Sequence, residues 1–90
     1  MNERKKKEKN KKKNGKVLNT TIFDYLIDSC HTFDCGYETA ICKDNGCFVI
    51  VERYETYEDM QKGHEKWCEL CEKEKPTELF SVQFEKIVEL

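Results

Sequence analysis

The dipeptide Asn45-Gly46 lies between two runs of strand-forming residues, and it constrains the fold more than any other feature of the sequence. The runs extend from Tyr37 to Cys42 and from Cys47 to Tyr54. Both are rich in β-branched and aromatic side chains, which favour strands. Asn-Gly is typical of the tight turn of a β-hairpin, because both central turn positions require positive φ angles. The sequence therefore predicts a central β-hairpin over residues 37–54.

An amphipathic helix is predicted directly after this hairpin, over residues 57–74. Thr56 is a suitable N-cap residue, and Pro76 prevents the helix from continuing. Acidic residues follow Thr56 and lysines precede Pro76, as the helix dipole favours. Helical spacing places one set of side chains on a single face: Met60, His64, Trp67, Cys68 and Cys71.

The segments on either side are less regular. Residues 17–28 are apolar and β-prone, but neither period dominates, so a strand and a short helix both remain open. Apolar and polar residues alternate from Leu79 to Glu85, which predicts a half-buried C-terminal strand with Phe80, Val82 and Phe84 on one side. The spacing of the apolar residues after Leu79 also fits a helix.

These elements together predict an α+β fold in a single small domain, residues 17–90. The central hairpin contributes to a small antiparallel sheet, and the main helix covers one face of that sheet.

Charge divides the chain into two parts. Residues 1–16 hold nine Lys or Arg against two Glu, a net charge of +7, whereas residues 17–90 carry −9. The first segment has no apolar residue after Met1 and is predicted to be a disordered tail. Its lysines would contact nucleic-acid phosphates, or else act as a solubilising polycation. The lysines proposed for phosphate contacts are Lys5, Lys6, Lys7, Lys11, Lys12 and Lys13.

The basic start is not followed by the apolar stretch of an export signal, and no run approaches the roughly 20 apolar residues of a membrane span. An intracellular location is therefore expected, in which the six cysteines are reduced thiols or metal ligands.

A zinc site is one interpretation of these cysteines. The residues proposed as ligands are His64, Cys68, Cys71 and Cys35. The spacing Cys68-x2-Cys71 suits zinc, but such pairs usually lie in tight knuckles rather than in a helix. The main expectation is therefore that the cysteines are core thiols and that no cofactor is bound. A redox pair between Cys42 and Cys47 is a further alternative.

Acidic residues accumulate along the end of the hairpin and the helix. The residues predicted to bind a partner are Glu52, Glu55, Glu58, Asp59, Glu65 and Glu69. Such a surface can occupy a basic groove on another protein. The alternative is an ordinary solvated helix face. No pattern of catalytic residues is apparent, and an enzyme is not expected.

Three segments resemble a group of short uncharacterised proteins of tailed phages and prophages. They are Tyr37-Glu38-Thr39-Ala40-Ile41, Val51-Glu52-Arg53-Tyr54-Glu55-Thr56 and Glu58-Asp59-Met60-Gln61-Lys62-Gly63-His64-Glu65-Lys66-Trp67. Members of that group share a Y/W-E-T strand, a V-E-x-Y-x-T/N strand and a helix with G-H-E-x-W/M. The resemblance implies a phage-related origin and an accessory or virion-associated role, in the host cytoplasm or in the virion.

Two functions are therefore expected. The first is a non-enzymatic protein-binding module, either a phage accessory protein or an inhibitor of a host defence or regulatory protein. The second is a small zinc-stabilised nucleic-acid-binding protein that uses its basic tail for phosphate contacts. The partner in the first case is another protein; a membrane is not expected in either case.

Overall fold

The computed structural model describes residues 17–32 and 36–90. It contains six strands and one helix within these residues, and the predicted α+β fold is confirmed. The bounds are β1 Val17–Ile22, β2 Tyr25–Thr32, β3 Gly36–Lys43, β4 Val49–Tyr54, α1 Tyr57–Glu74, β5 Glu78–Ser81 and β6 Lys86–Glu89. The predicted basic tail and the proposed ligand Cys35 lie outside the described residues.

Strands β1 to β4 form an antiparallel sheet in which each strand pairs with the next along the chain. The segment that the sequence left open, residues 17–28, is a strand, a turn and the start of a second strand. Phe23 and Asp24 form the two-residue turn between Ile22 and Tyr25. Phe23 has a φ of 55°, which a bulky residue rarely adopts.

The predicted central hairpin is present as β3 and β4, but its turn lies one residue earlier than the Asn-Gly pair suggests. Asp44 and Asn45 have φ angles of 55° and 61°, and the Gly46 N–H donates to the Lys43 carbonyl at 3.0 Å. Asp and Asn tolerate the left-handed region, so they occupy both central positions. A β-bulge between Thr39 and Ala40 shifts the register of this hairpin.

Helix α1 has the predicted bounds and the predicted N-cap. The Thr56 hydroxyl accepts a hydrogen bond from the Asp59 N–H at 3.1 Å. At the other end, Lys75 adopts a left-handed conformation, and its N–H donates to the Cys71 carbonyl. The buried residues of the helix are Met60, Gly63, His64 and Cys71.

The C-terminal strand is confirmed, but it is shorter than predicted and pairs with a further strand, β6. The predicted distribution of its side chains is wrong. Leu79 and Ser81 face the core, whereas Phe80 and Phe84 are 51% and 64% exposed. Within β5 the alternation therefore has the opposite phase, and Phe84 lies in the turn that follows Ser81.

The core lies between the sheet, helix α1 and the C-terminal hairpin. Trp67 and Cys68 pack against its buried cluster, which comprises Tyr25, Ile27, Ile41, Val49, Val51, Cys71 and Leu79. The backbone N–H of Val82 donates to the carbonyl of Ile50 at 2.9 Å, so the C-terminal hairpin covers part of the outer edge of β4.

Candidate functional site

His64 lies on the inner face of helix α1 and is held by two hydroxyl groups from the sheet. Its Nε2 atom is 2.9 Å from the Thr20 hydroxyl, and its Nδ1 atom is 2.7 Å from the Ser29 hydroxyl. Only 6% of the His64 surface is exposed. Burial lowers the pKa of His64, although the nearby charges of Asp28 and Glu65 oppose that effect.

The hydrogen bonds continue across the sheet beneath the helix. Ser29 bonds to the Thr39 hydroxyl at 2.6 Å, and Thr39 bonds in turn to the Tyr54 hydroxyl at 2.9 Å. The Tyr54 hydroxyl donates to the Glu52 carboxylate at 3.1 Å. A continuous chain of polar groups therefore joins β1 to β4, and we call it the Thr20–Glu52 network.

Glu52 is the charged end of the network. Its Oε1 atom also accepts hydrogen bonds from the Lys66 ammonium and the Trp67 indole N–H, each at 2.8 Å. Partial burial acts to raise the pKa of Glu52, but the bonds from Lys66 and Trp67 outweigh it and lower the pKa. Glu52 is therefore ionised at neutral pH, and it fastens the middle of the helix to β4.

The ionised carboxylate fixes the direction of every bond in the network. A carboxylate only accepts, so Tyr54 donates to Glu52 and must accept from Thr39. Each hydroxyl has one proton to donate. Thr39 donates its proton to Tyr54 and therefore accepts from Ser29, and Ser29 in turn accepts from the Nδ1–H of His64. The neutral His64 ring is therefore the Nδ1–H tautomer, and its Nε2 atom accepts from Thr20. Burial raises the pKa of Tyr54 to about 12, so this hydroxyl keeps its proton.

Gly63 allows the Tyr54 side chain to reach the network. The Tyr54 hydroxyl and ring occupy the space that a Cβ atom at Gly63 would fill. A larger residue would force the helix and β4 apart, since neither the helix backbone nor a packed ring yields easily.

Several residues of the phage-like pattern coincide with this network and its supports. They are Thr39, Glu52, Tyr54, Gly63, His64 and Trp67. These residues attach the helix to the sheet. Thr20 and Ser29 belong to the same network but were missed from the sequence. Ser29 follows Ile27 by two residues on β2, so strand alternation already places its side chain on the inner face.

An open cleft of about 480 Å³ lies beside the network, where β4 meets the start of helix α1. Its lining residues are Glu52, Arg53, Tyr54, Glu55, Asp59, Lys62, Gly63 and Lys66. Two of the three basic side chains are already paired: Lys66 with Glu52 at 2.8 Å and Arg53 with Glu38 at 3.6 Å.

The six acidic residues predicted to bind a partner have different environments. Glu52 is engaged by three donors and supports the fold, and Glu69 pairs with Lys73 at 2.7 Å. The other four are exposed and form no ion pair within the described residues: Glu55, Glu58, Asp59 and Glu65. Glu55 and Asp59 line the cleft, Glu58 lies beside Asp59 in the first helical turn, and Glu65 lies further along the helix.

The proposed zinc ligands do not assemble within the part of the chain that the structure describes. No group of three or more His, Cys, Asp or Glu residues there has a geometry suited to a metal ion. Both ring nitrogens of His64 are occupied by hydroxyl groups. Burial raises the pKa of Cys68 and raises that of Cys71 to about 11, which disfavours the thiolates that zinc requires.

Cys42 and Cys47, the alternative redox pair, lie in different environments. Cys42 is buried and its thiol donates to the Gly46 carbonyl, whereas Cys47 is exposed in the loop after the turn. Both are free thiols, and they do not face each other because the loop is longer than four residues.

Ser29 and His64 resemble a nucleophile–base pair, but Ser29 is completely buried, so a substrate does not reach its hydroxyl in this structure.

Comparison of the chain with protein-family models, with curated proteins and with solved structures finds no match. Within residues 17–32 and 36–90, no helix is both long and apolar enough to cross a membrane.

Proposed function

We propose that this chain is a non-enzymatic protein-binding module of phage origin, and that the cleft between β4 and helix α1 binds a basic segment of its partner. The observation that carries the proposal is the uneven pairing of charges around the cleft. Glu55 and Asp59 are exposed and form no ion pair within the described residues. Of the three basic residues of the cleft, Arg53 and Lys66 are paired with acidic neighbours, and Lys62 alone is not. A lysine or arginine side chain that enters the cleft would meet these two carboxylates.

The Thr20–Glu52 network supports this role because its hydrogen bonds hold side chains that line the cleft in place. Tyr54 and Gly63 line the cleft and are in contact with each other. Glu52 holds Lys66 and Trp67 on the adjacent helical turn. A preorganised surface loses less conformational freedom on binding, which favours affinity for a partner.

The phage-like pattern supports an origin in a phage or prophage, and an accessory role or the inhibition of a host protein is consistent with a small acidic module. The site would then act in the host cytoplasm or on the virion. The proposal requires no metal ion and no cofactor.

Charge reversal tests the cleft. In the full-length chain, the double variant Glu55→Lys/Asp59→Lys replaces the two unpaired carboxylates of the cleft. The matched control Glu72→Lys/Glu74→Lys makes the same change in charge on exposed residues at the other end of the helix. Each tagged protein is used for quantitative affinity capture from bacteria that express it.

A protein captured by the parent chain and by the control should be retained at least about tenfold less by the cleft variant, since like charges across an interface cost several kcal/mol. Equal retention by all three chains, or equal loss from both double variants, would contradict the proposal that the cleft recognises the partner.

The nucleic-acid alternative rests on the basic tail, which lies outside the described residues. It is tested in the same full-length chain by changing Lys5, Lys6, Lys7, Lys11, Lys12 and Lys13 to Gln, with and without nuclease in the capture. The nucleic-acid alternative would be favoured over the protein-binding module if three results were found together. Only nucleic acid is recovered, the lysine substitutions abolish its recovery, and the cleft variant leaves it unchanged.

A further inference from the structure

The two edges of the four-stranded sheet differ in how they are protected from other strands. The pairing of β4 with β3 contains a β-bulge, and β4 carries the charged residues Glu52 and Arg53. The C-terminal hairpin covers part of the β4 edge through the hydrogen bond from Val82 to Ile50. These are the features by which proteins prevent unwanted strand pairing.

The β1 edge has none of these features within the described residues. Its six residues, Val17–Ile22, include no charged residue and no proline, and the register with β2 is continuous from one end to the other. A strand of this length with an unprotected edge readily pairs with another strand.

The turn at Phe23 and Asp24 determines which backbone groups point to this edge. Ile22 and Tyr25 close a two-residue hairpin and are therefore a hydrogen-bonded pair. Alternation along the strand directs the N–H and C=O groups of Leu18, Thr20 and Ile22 towards β2. The same groups of Val17, Asn19 and Thr21 consequently point away from the sheet.

We infer that the β1 edge pairs with the β1 strand of a second copy of this chain, in an antiparallel arrangement centred on Asn19. This centre places Val17 opposite Thr21 of the second copy and Asn19 opposite Asn19. All three outward-pointing residues of each strand then form hydrogen-bonded pairs, about six backbone hydrogen bonds in total. The two four-stranded sheets would become one continuous sheet across a two-fold axis.

The charges favour a second copy as the occupant. Because β1 is uncharged, self-pairing places no like charges directly opposite each other. Half-buried Leu18 would lie opposite Thr20 of the second copy, which would cover more of its apolar surface.

This inference is independent of the proposed function, because the cleft lies at the opposite edge of the sheet. A β1-paired dimer would carry one cleft at each end and would bind two basic segments. Failure of either proposal leaves the other intact.

Sedimentation equilibrium of the full-length chain tests the pairing, at protein concentrations from about 10 µM to about 1 mM, where small interfaces associate. The parent chain, of 10.7 kDa, should approach twice that mass as its concentration rises. The variant Asn19→Pro removes an outward N–H and should remain a monomer. The control Asn19→Ala loses the same side-chain bond to Asp28 but keeps that N–H, so it should dimerise like the parent.

Amide hydrogen exchange in the parent chain keeps the test decisive even if the proline variant unfolds. The amides of Asn19 and Thr21 should become protected only as the dimer forms. Those of Leu18 and Thr20, which bond to β2 in each copy, should be protected at every concentration. A parent chain that stays monomeric at about 1 mM, or a dimer without concentration-dependent protection of Asn19 and Thr21, would overturn the inference.

Discussion

The Tyr54 side chain lies against the backbone of Gly63, in the space that any other residue at position 63 would need for its Cβ atom. This contact links the end of β4 to the middle of helix α1. Because Tyr54 also bonds to Thr39 and Glu52, the contact determines whether the Thr20–Glu52 network can form.

The variant Gly63→Ala is therefore expected to destabilise the fold, although alanine is the better helix former. Overpacking at a buried contact costs about 1–3 kcal/mol. That cost is expected to exceed the gain of about 1 kcal/mol from helix propensity, because the hydrogen bonds of the Tyr54 hydroxyl to Thr39 and Glu52 keep the ring from moving away. Urea unfolding measures the difference.

The exposed variant Gln61→Ala, two residues earlier in the same helix, is the control and should change the free energy of unfolding by less than about 0.5 kcal/mol. The double variant Gly63→Ala/Tyr54→Leu should lose less unfolding free energy than the two single variants lose together, because removing the ring relieves the overlap. Strict additivity would show that the two residues do not interact as described.

The variant Thr39→Val tests the middle of the network. Valine has almost the same shape as threonine but no hydroxyl, so Ser29 and Tyr54 would each lose a buried hydrogen-bond partner. The expected loss is about 1–3 kcal/mol in the free energy of unfolding. Thr21→Val is the matched control, because Thr21 is exposed on the edge strand. Equal effects of the two substitutions would contradict the structural role of Thr39.

The elements with strong local signals could be predicted from the sequence. Thr56 and Pro76 bound the helix, and the polar turn between two β-prone runs defines the central hairpin. The position of the turn was harder to predict, because Asp44 and Asn45 can both adopt the left-handed conformation, although less readily than glycine. The exposure of Phe80 and Phe84 could not be predicted, because the apolar alternation continues through residues 82–85, which form a turn and not part of the strand.

The network was harder to predict because it depends on contacts between distant segments. Thr20, Ser29 and Thr39 are hydroxyl residues on three different strands. Strand alternation places Ser29 on the inner face, but no local pattern shows which polar groups these hydroxyls meet. Only the pairing of the strands brings them into line with His64. The prediction that Glu52 contacts a partner failed to anticipate its three internal bonds for the same reason.

The stability of the fold should decrease as the pH is lowered from about 6.5 towards 5, because of His64. In the unfolded chain this residue takes up a proton near pH 6.5, the ordinary histidine value. In the folded chain burial lowers its pKa, so the ring remains neutral to a lower pH. Between these two values the unfolded state binds more protons, and acid therefore favours unfolding. The dependence fades over about one pH unit above 6.5, as the unfolded chain also loses this proton.

Urea unfolding between about pH 5 and pH 8 measures this effect above the range in which the carboxylates titrate. His64→Gln should flatten the dependence, whereas the non-titrating control Gln61→Ala should leave it in place. Nitrogen-15 NMR of the imidazole provides an independent check, since the folded protein should show the Nδ1–H tautomer of His64. A protonated His64 ring in the folded protein at pH 6.5 would contradict the assignment.

The cysteines should differ strongly in their reactivity towards an alkylating reagent in the folded protein. Cys47 is exposed and should react readily, whereas Cys71 is completely buried and its pKa is raised to about 11. Relative to an ordinary thiol, this pKa reduces the thiolate fraction at neutral pH by about two orders of magnitude, and burial slows the reaction further. Time-resolved alkylation followed by mass spectrometry should therefore show Cys71 modified at least about 100-fold more slowly than in the urea-unfolded chain. Protection of Cys71 that is unchanged by a chelator agrees with a core thiol, whereas protection that a chelator removes would instead identify Cys71 as a metal ligand.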